Sequence, residues 1–300
     1  MTERIAFLGI GLMGAPMARN LLQAGFPLAA WNRDSVKAAA LKSAGAVSAA
    51  TPADASRDAD IVITMLANGP AVEAVMFGDQ GAVTTLRPDA LVIDMSSSPP
   101  AMARDHAKRL AGRGYLDAPV SGGTIGAAEA RLAIMAGGDP ASFARAKRLF
   151  AALGHATLVG PIGSGQLAKL ANQAIVAITI GAVAEALLLA AAGGADPAAV
   201  REAIMGGFAE SRVLKVHGKR MILRDFTPGG PADHQVKDCE TIVATAKASG
   251  LTLPFAEQAL AMFRGLVAHG GARLDHSALL LELERMNGKK LGPGPETLPA

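Results

Sequence analysis

Three spaced glycines near the head of the chain limit what it can fold into more than any other feature. Arg4 to Leu8 reads as a short buried strand, Gly9-Ile10-Gly11-Leu12-Met13-Gly14 comes next, and helical periodicity continues through Asn20 to Ala24. Each glycine has its own task in such a strand–turn–helix. Gly9 makes the tight turn, Gly11 lets the backbone approach a pyrophosphate, and Gly14 lets helix and strand pack closely. The phosphates would lie on the helix N-terminus, where open N–H groups and the helix dipole favour an anion. The backbone of Leu12 and Met13 belongs to the same cradle.

The residues at the end of the second strand select the cofactor. This apolar strand, Leu28 to Trp31, ends in Asn32-Arg33, where an NAD-binding fold carries an acid for the ribose hydroxyls. An acid would repel a 2′-phosphate, whereas Asn32 can hydrogen-bond it and Arg33 can pair with it. The reading is NADP(H) in preference to NAD(H), with NAD(H) still admissible. Taken alone, Arg33 would pass for a solvated strand-end residue; its place directly after the second strand gives it a ligand.

A length of 300 residues points to two domains rather than one. Half of the residues are apolar and 4% aromatic, so the cores are expected to be built from small, closely packed side chains. The net charge of +3 comes without a long basic run, which excludes a nucleic-acid footprint and suits an anionic cofactor and substrate. Cys239 is the one cysteine; neither a disulfide framework nor a thiolate zinc site can be built, as in a reducing cytoplasm. The first residues lack the layout of a signal peptide, and a cytoplasmic location is expected. Ala174 to Gly193 is apolar enough to weigh as a membrane span, but Glu185 interrupts it and no second span accompanies it. A fully buried helix of a protein with no membrane partner is therefore expected.

Strand and helix alternate up to about Gly160. A helix starts at Thr51-Pro52, strands are expected over Asp60 to Leu66, Leu91 to Met95, Tyr115 to Val120, Leu132 to Ala136 and Ala156 to Val159, and helices near Pro70 to Phe77 and Met102 to Arg113. This alternation implies a mostly parallel, doubly wound sheet. After Gly163 the strands stop. Gly165 to Ala192 is one long helical run, Asp196-Pro197 caps the next helix, and further helices read near Val213 to Leu223, Gln235 to Ser249, Pro254 to His269 and Ser277 to Met286. The expected domains are residues 1–162, residues 163–291 and a loose tail over 292–300.

In an open parallel sheet ligands bind beyond the carboxyl ends of the strands. Met65 to Asn68, Ser96-Ser97 and Asp117 to Gly123 fall there. Ser121-Gly122-Gly123 offers a hydroxyl and concave N–H groups that suit a carboxylate or oxyanion, although the tripeptide alone is also consistent with a plain turn. Lys169 lies near the start of the long helix, one turn before Asn172 and Gln173. Partly desolvated near a helix N-terminus, it would have a lowered pKa and could protonate an alkoxide. A lone helical lysine is ordinarily a solvated side chain, and spacing does not overturn that. The six histidines are scattered without metal-ligand spacing, and no metal is expected.

Gly9 to Ala18, Asp94-Met95-Ser96-Ser97, Asp117 to Gly123, Lys169 to Gln173 and Val236-Lys237-Asp238 together, in this order along essentially the whole chain, resemble the β-hydroxyacid dehydrogenase family. Leu170 to Gln173, Gly206 to Ser211 and Phe226 to Gly230 look closest to its branch of 2-hydroxy-3-oxopropionate reductases and L-threonate dehydrogenases. The resemblance implies an α/β fold: an N-terminal doubly wound Rossmann sheet and an all-α C-terminal domain joined by a long interdomain helix. It also implies hydride transfer between a nicotinamide cofactor and a small hydroxyacid, semialdehyde or keto acid. Lys169 takes the role of general acid and base, Ser121, Gly122 and Gly123 the carboxylate cradle, and Asn172 and Gln173 the polar pair that orients substrate. Leu66, Ala67 and Ser97 match cofactor contacts, and Lys237 a lysine that the helical domain contributes to cofactor and substrate. Partners would be a small carboxylate substrate and further copies of the chain, as a homodimer or homotetramer. An imine reductase would share the fold but generally replaces the lysine; a non-catalytic NADP-binding assembly protein would not need Ser121, Lys169 and Asn172 together.

Overall fold

The computed structural model describes residues 2–110 and 112–293, and within it the chain divides into two compact units, Met1–Lys169 and Leu170–Ala300. The division falls inside the long helix. Most of the expected tail, residues 294–300, lies outside the described residues.

The first unit is built on β1 (Ile5–Leu8), α1 (Gly14–Gln23), β2 (Leu28–Trp31), α2 (Ser35–Ala39), β3 (Val47–Ser48), α3 (Pro52–Ser56), β4 (Ile61–Thr64), α4 (Gly69–Phe77), β5 (Leu91–Asp94) and α5 (Pro100–Arg109). It continues through β6 (Gly114–Asp117), β7 (Val120–Ser121), α6 (Gly123–Ala128), β8 (Leu132–Gly138), α7 (Pro140–Ala151) and β9 (Gly154–Gly160). Strand order among the described residues is β3-β2-β1-β4-β5-β6-β8-β7, with β9 on β8. The order reverses between β1 and β4, so the carboxyl ends of these two strands flank the crevice where doubly wound sheets take their ligands. Alternation along each strand sorts side chains to two faces. Ile5, Phe7, Ile61, Ile63, Leu91 and Ile93 pack with α1, α6 and α7; Ala6, Leu8, Val62, Val92 and Tyr115 pack with α3, α4 and α5.

One expected strand breaks in two. Tyr115 to Val120 becomes β6 and β7 because Pro119 has no N–H to give to a ladder. β6 pairs parallel with β5, while β7 pairs antiparallel with β8 alone. The expected start at Thr51-Pro52 holds, with the Thr51 hydroxyl accepting from the Asp54 N–H at 3.0 Å.

The second unit carries most of α8 (Ser164–Ala192) and then α9 (Pro197–Ile204), α10 (Lys219–Leu223), α11 (Ala232–Ala248), α12 (Pro254–Leu266) and α13 (Leu279–Asn287). Ile180, Ala184, Leu187, Met221, Cys239, Phe263 and Leu280 form its core. Asp196 caps α9 from one residue before Pro197, as expected. The run expected as one helix over Val213 to Leu223 instead begins with a wide π-helical turn, Leu214–Gly218. There Arg201 donates to the carbonyl oxygens of Leu214 and Lys215 at 3.1 and 2.7 Å, competing with the regular ladder. The apolar stretch of α8 is not fully buried, contrary to expectation: about a third of its most apolar window is enclosed, and Ile175 and Leu189 are exposed. An all-round apolar sequence does not say how many of a helix's faces one chain covers.

Candidate active site

The three glycines perform separable tasks. Gly9 has φ +111°, and a Cβ there would run into the Met65 carbonyl and the Leu66 side chain. A Cβ on Gly14 would strike the Gly9 carbonyl oxygen and, at 3.1 Å, the Phe7 ring. Around Gly11 nothing beyond its own chain neighbours lies within 4 Å of the Cβ position, and no side chain caps α1. The open side of the turn and the uncapped helix start fit a dinucleotide pyrophosphate. Leu12 and Met13 follow in the same turn, Leu12 largely exposed.

Asn32 has a structural task that the sequence does not announce. Its Oδ1 accepts the Ile10 N–H at 2.9 Å, pinning the glycine turn to the end of β2, and its Nδ2 donates to the Asp34 carbonyl at 3.0 Å. Arg33 beside it is exposed. The nearby acid, Asp34, accepts the Val36 N–H at the head of α2. Further along the crevice, the Leu66 N–H donates to Ser96 Oγ at 2.9 Å, so the loops after β4 and β5 are tied together. Leu66 and Ser97 are half-buried there and Ala67 is exposed. The glycine turn, Asn32, Leu66 and Ser96 are thus neighbours at the carboxyl ends of β1, β2, β4 and β5, with Ala67 and Ser97 next to them in sequence.

Ser121 ends β7, half-buried, and Gly122 and Gly123 follow with φ of +139° and +64°. Two successive residues of positive φ need glycine and leave N–H groups at the head of α6. That helix packs against α1 through Asn20 Nδ2, which donates to the Ala127 carbonyl at 2.8 Å.

Two residues to which sequence gives no role organise the start of α8. Asp117, fully buried at the end of β6, accepts the Gly163 N–H on Oδ1 at 2.7 Å and the Gln166 N–H on Oδ2 at 2.8 Å. Gln166, also buried, takes the Ser98 N–H on Oε1 at 3.1 Å and donates from Nε2 to the Ser96 carbonyl at 2.8 Å. Burial pushes the Asp117 carboxyl up to about 6, with the neighbouring Asp94 adding to the rise against backbone hydrogen bonds from Gly163, Gln166 and Asp117 itself. Burial likewise raises Asp94, despite hydrogen bonds from Thr64 and Ser96. Lys169, half-buried, stands three residues beyond Gln166.

In the second unit, Asn172 Nδ2 donates to Gln173 Oε1 at 2.9 Å, and Gln173 Nε2 donates to Asp238 Oδ2 at 2.6 Å. Lys237 pairs with the other oxygen of Asp238 at 3.2 Å. The pair expected to orient substrate is therefore ordered internally: Asp238 holds Gln173, and Gln173 holds Asn172.

His217, Asp275 and His276, also in this unit, bring potential metal-ligand atoms within 4.8 Å of one another. Asp275 is already engaged, accepting from Arg220 at 2.9 Å, from the Gly229 and Gly230 N–H groups, and from the backbone and hydroxyl of Ser277. A guanidinium fixed on that carboxylate opposes a cation. Burial lowers His276 to about 4, keeping it neutral, and the cluster reads as a polar clasp.

Comparison with known proteins bears on the family and the fold. Residues 4–163 match the NAD binding domain of 6-phosphogluconate dehydrogenase. Residues 163–283 match the domain described as NAD-binding of NADP-dependent 3-hydroxyisobutyrate dehydrogenase. The chain is 47% identical to 2-hydroxy-3-oxopropionate reductase of Escherichia coli, covering 96% of this chain and 99% of that one. It is 36% identical to an NAD-dependent L-serine dehydrogenase of Pseudomonas aeruginosa, covering 92% and 96%. The solved structure of Mycobacterium tuberculosis 3-hydroxyisobutyrate dehydrogenase with L-serine superposes with a TM-score of 0.86 at 32% identity, covering 94% and 99%. The chain belongs to the β-hydroxyacid dehydrogenase family and is an oxidoreductase that works with a nicotinamide dinucleotide.

Proposed function

We propose that this enzyme is an NADP(H)-dependent reductase of small semialdehyde and keto acids, reversible as a hydroxyacid dehydrogenase, with 2-hydroxy-3-oxopropionate as the leading substrate. The observation that carries the substrate class is the 47% identity, over nearly the full length of both chains, to a protein named for that reaction. The bound dinucleotide supplies or takes up the hydride. The Ser121 hydroxyl and the N–H groups at Gly122 and Gly123 hold the substrate carboxylate. Lys169 gives its proton to the carbonyl oxygen as that oxygen becomes an alkoxide, and takes it back in the oxidative direction. Asn172 follows on the same face of α8 and hydrogen-bonds the reacting oxygen, while Gln173, held by Asp238, orients it. Lys237 adds positive charge for the anionic ligands. A panel of semialdehydes with NADPH and hydroxyacids with NADP⁺ tests the assignment: kcat/KM is expected to be highest for 2-hydroxy-3-oxopropionate. Turnover of cyclic imines instead would indicate an imine reductase, and cofactor binding without any turnover a non-catalytic protein.

Cofactor choice rests on Arg33. With Asn32 engaged at the glycine turn, the exposed guanidinium is the group that reaches a 2′-phosphate, with the remaining Asn32 amide hydrogen as support. Such a charge-assisted pair favours NADPH over NADH by about 10- to 100-fold in kcat/KM. Arg33→Asp should invert the ratio, and a parent enzyme that prefers NADH would remove the basis for this reading.

The exposed apolar faces of α8 call for a cover, which we assign to a second copy of the chain, giving a homodimer or homotetramer. Light scattering across a wide concentration range should show the oligomer; a concentration-independent monomer would contradict it.

A further inference from the structure

We infer that Asp117 and Gln166 are the positioning pair for the proton donor: together they clamp the first turn of α8 and thereby set where Lys169 stands relative to the Ser121 turn. This rests on the role given to Lys169 above.

An ordinary helix cap comes from a side chain within a few residues of the helix start. Here the carboxylate comes from the end of a strand 46 and 49 residues away in sequence and takes two N–H groups at once, one on each oxygen. The second of those N–H groups belongs to Gln166. Its side chain then reaches 68 and 70 residues back to the Ser98 N–H and the Ser96 carbonyl. One residue in the first turn of α8 is therefore fixed to β6 through its backbone and to the Ser96–Ser98 loop through its side chain.

The approach requires two glycines. A Cβ on Gly137 would lie 2.6 Å from Asp117 Oδ1, and one on Gly165 would lie 2.9 Å from Oδ2 while striking the Asp117 and Met135 carbonyls. The space around the carboxylate is thus shaped by strand and helix alike. Lys169 comes less than one turn after Gln166, so its backbone moves with the clamped turn. From Asp117 the chain continues through Ala118 and Pro119 into Val120 and Ser121. Ala118 is held by its N–H to the Asp94 carbonyl at 2.7 Å, and Pro119 accepts from the Met135 N–H at 3.0 Å. A short, fixed segment thereby links the residue that holds the proton donor's helix to the residue proposed to hold the substrate. General acid catalysis is sensitive to displacements of about 1 Å, and this linkage is where such precision would come from.

The clamp depends on pH. An ionised Asp117 accepts on both oxygens; protonation turns one of them into a donor that faces an N–H. The charged and titratable groups around it, among the described residues, are Asp94 on β5, Tyr115 on its own strand and Arg104 of α5 against Gly163. Burial raises its carboxyl to about 6, so Asp117 takes up a proton without leaving the interior as pH falls through that value, and the Gly163 and Gln166 N–H bonds, which favour its ionised form, are weakened there.

The test compares the parent with Asp117→Asn and with Gln166→Leu, which keeps the buried volume and removes both side-chain bonds. Three quantities are read: kcat from pH 5 to 8, NADPH affinity by fluorescence, and amide exchange over residues 164–169, which needs no turnover. Asp117→Asn is expected to lower kcat at pH 7.5 by about 10- to 100-fold, with NADPH affinity within about twofold. The acid limb near pH 6 should vanish, and exchange in the first turn of α8 should quicken. Gln166→Leu should lower kcat and quicken exchange but keep the acid limb, and it serves alone if Asp117→Asn does not fold. Unchanged kcat and pH profile per folded enzyme, with only thermal stability lowered, would overturn the inference. If Lys169→Ala retains activity while Asp117→Asn still quickens exchange, the role of the lysine has failed and the clamp has not.

Discussion

Replacing Lys169 with alanine is expected to lower kcat by about 10²- to 10⁴-fold, the contribution typical of a positioned general acid. Charge balance is the reason. Hydride addition to a carbonyl leaves an alkoxide that is far too basic to persist, so a proton must arrive as the charge develops. Of the residues expected at the reacting end, Ser121, Asn172 and Gln173 only hydrogen-bond and Lys237 is ion-paired with Asp238 at 3.2 Å, which leaves Lys169 as the proposed proton donor. Lys169→Arg should fare little better, because a guanidinium does not give up its proton in this range. Steady-state kinetics with NADPH, paired with a direct titration of cofactor binding, separate the effects. If kcat and kcat/KM fall together while NADPH affinity holds within about twofold, the lost interaction belongs to the transition state. Near-parent kcat in the alanine variant would refute the mechanism.

Features that depend on near neighbours are legible in the sequence. The strand–turn–helix around Gly9 to Gly14, the proline-led helix starts and the two-sided alternation of Ile5, Ala6, Phe7 and Leu8 each need only a few adjacent residues, and all of them stand in the structure. Features set by long-range partners are not. Asp117 reads as one letter of a motif until Gly163 and Gln166 are folded onto it, and Gln173 gains its anchor from Asp238, 65 residues on. Asn32 can be seen as the missing acid of an NAD site but not as the acceptor for Ile10 N–H, since that bond exists only once β1 and β2 are side by side. The exposure of α8 is hidden for a different reason: apolar content reports what a helix can bury, whereas the number of elements packed around it is a property of the whole fold.

The three glycines allow the division of labour at the turn to be measured. Gly9→Ala places a side chain at φ +111° and against the Met65 carbonyl, so backbone strain and overlap add to about 3–5 kcal/mol. At about 2–4 °C per kcal/mol, the apo protein's Tm should fall by roughly 10 °C. Gly14→Ala meets the Gly9 carbonyl, a backbone atom that cannot swing aside, and should cost about 1–3 kcal/mol as α1 is pushed off β1. Gly11→Ala is the informative case. Its Cβ meets nothing beyond its own chain neighbours within 4 Å and its φ is not in the left-handed region, so apo stability should change by less than about 0.5 kcal/mol. If that open side is where pyrophosphate approaches the backbone, the same methyl group should weaken NADPH binding by about 30- to 100-fold, equivalent to about 2–3 kcal/mol. Thermal melts without cofactor and calorimetric titration with it read the two effects separately. A Gly11→Ala enzyme that binds NADPH like the parent would show that the turn is not the phosphate cradle. A loss of stability as large as that of Gly9→Ala would show that the open space is not open in solution, because a methyl group that touches nothing in the apo protein can weaken binding only by occupying the place of the ligand.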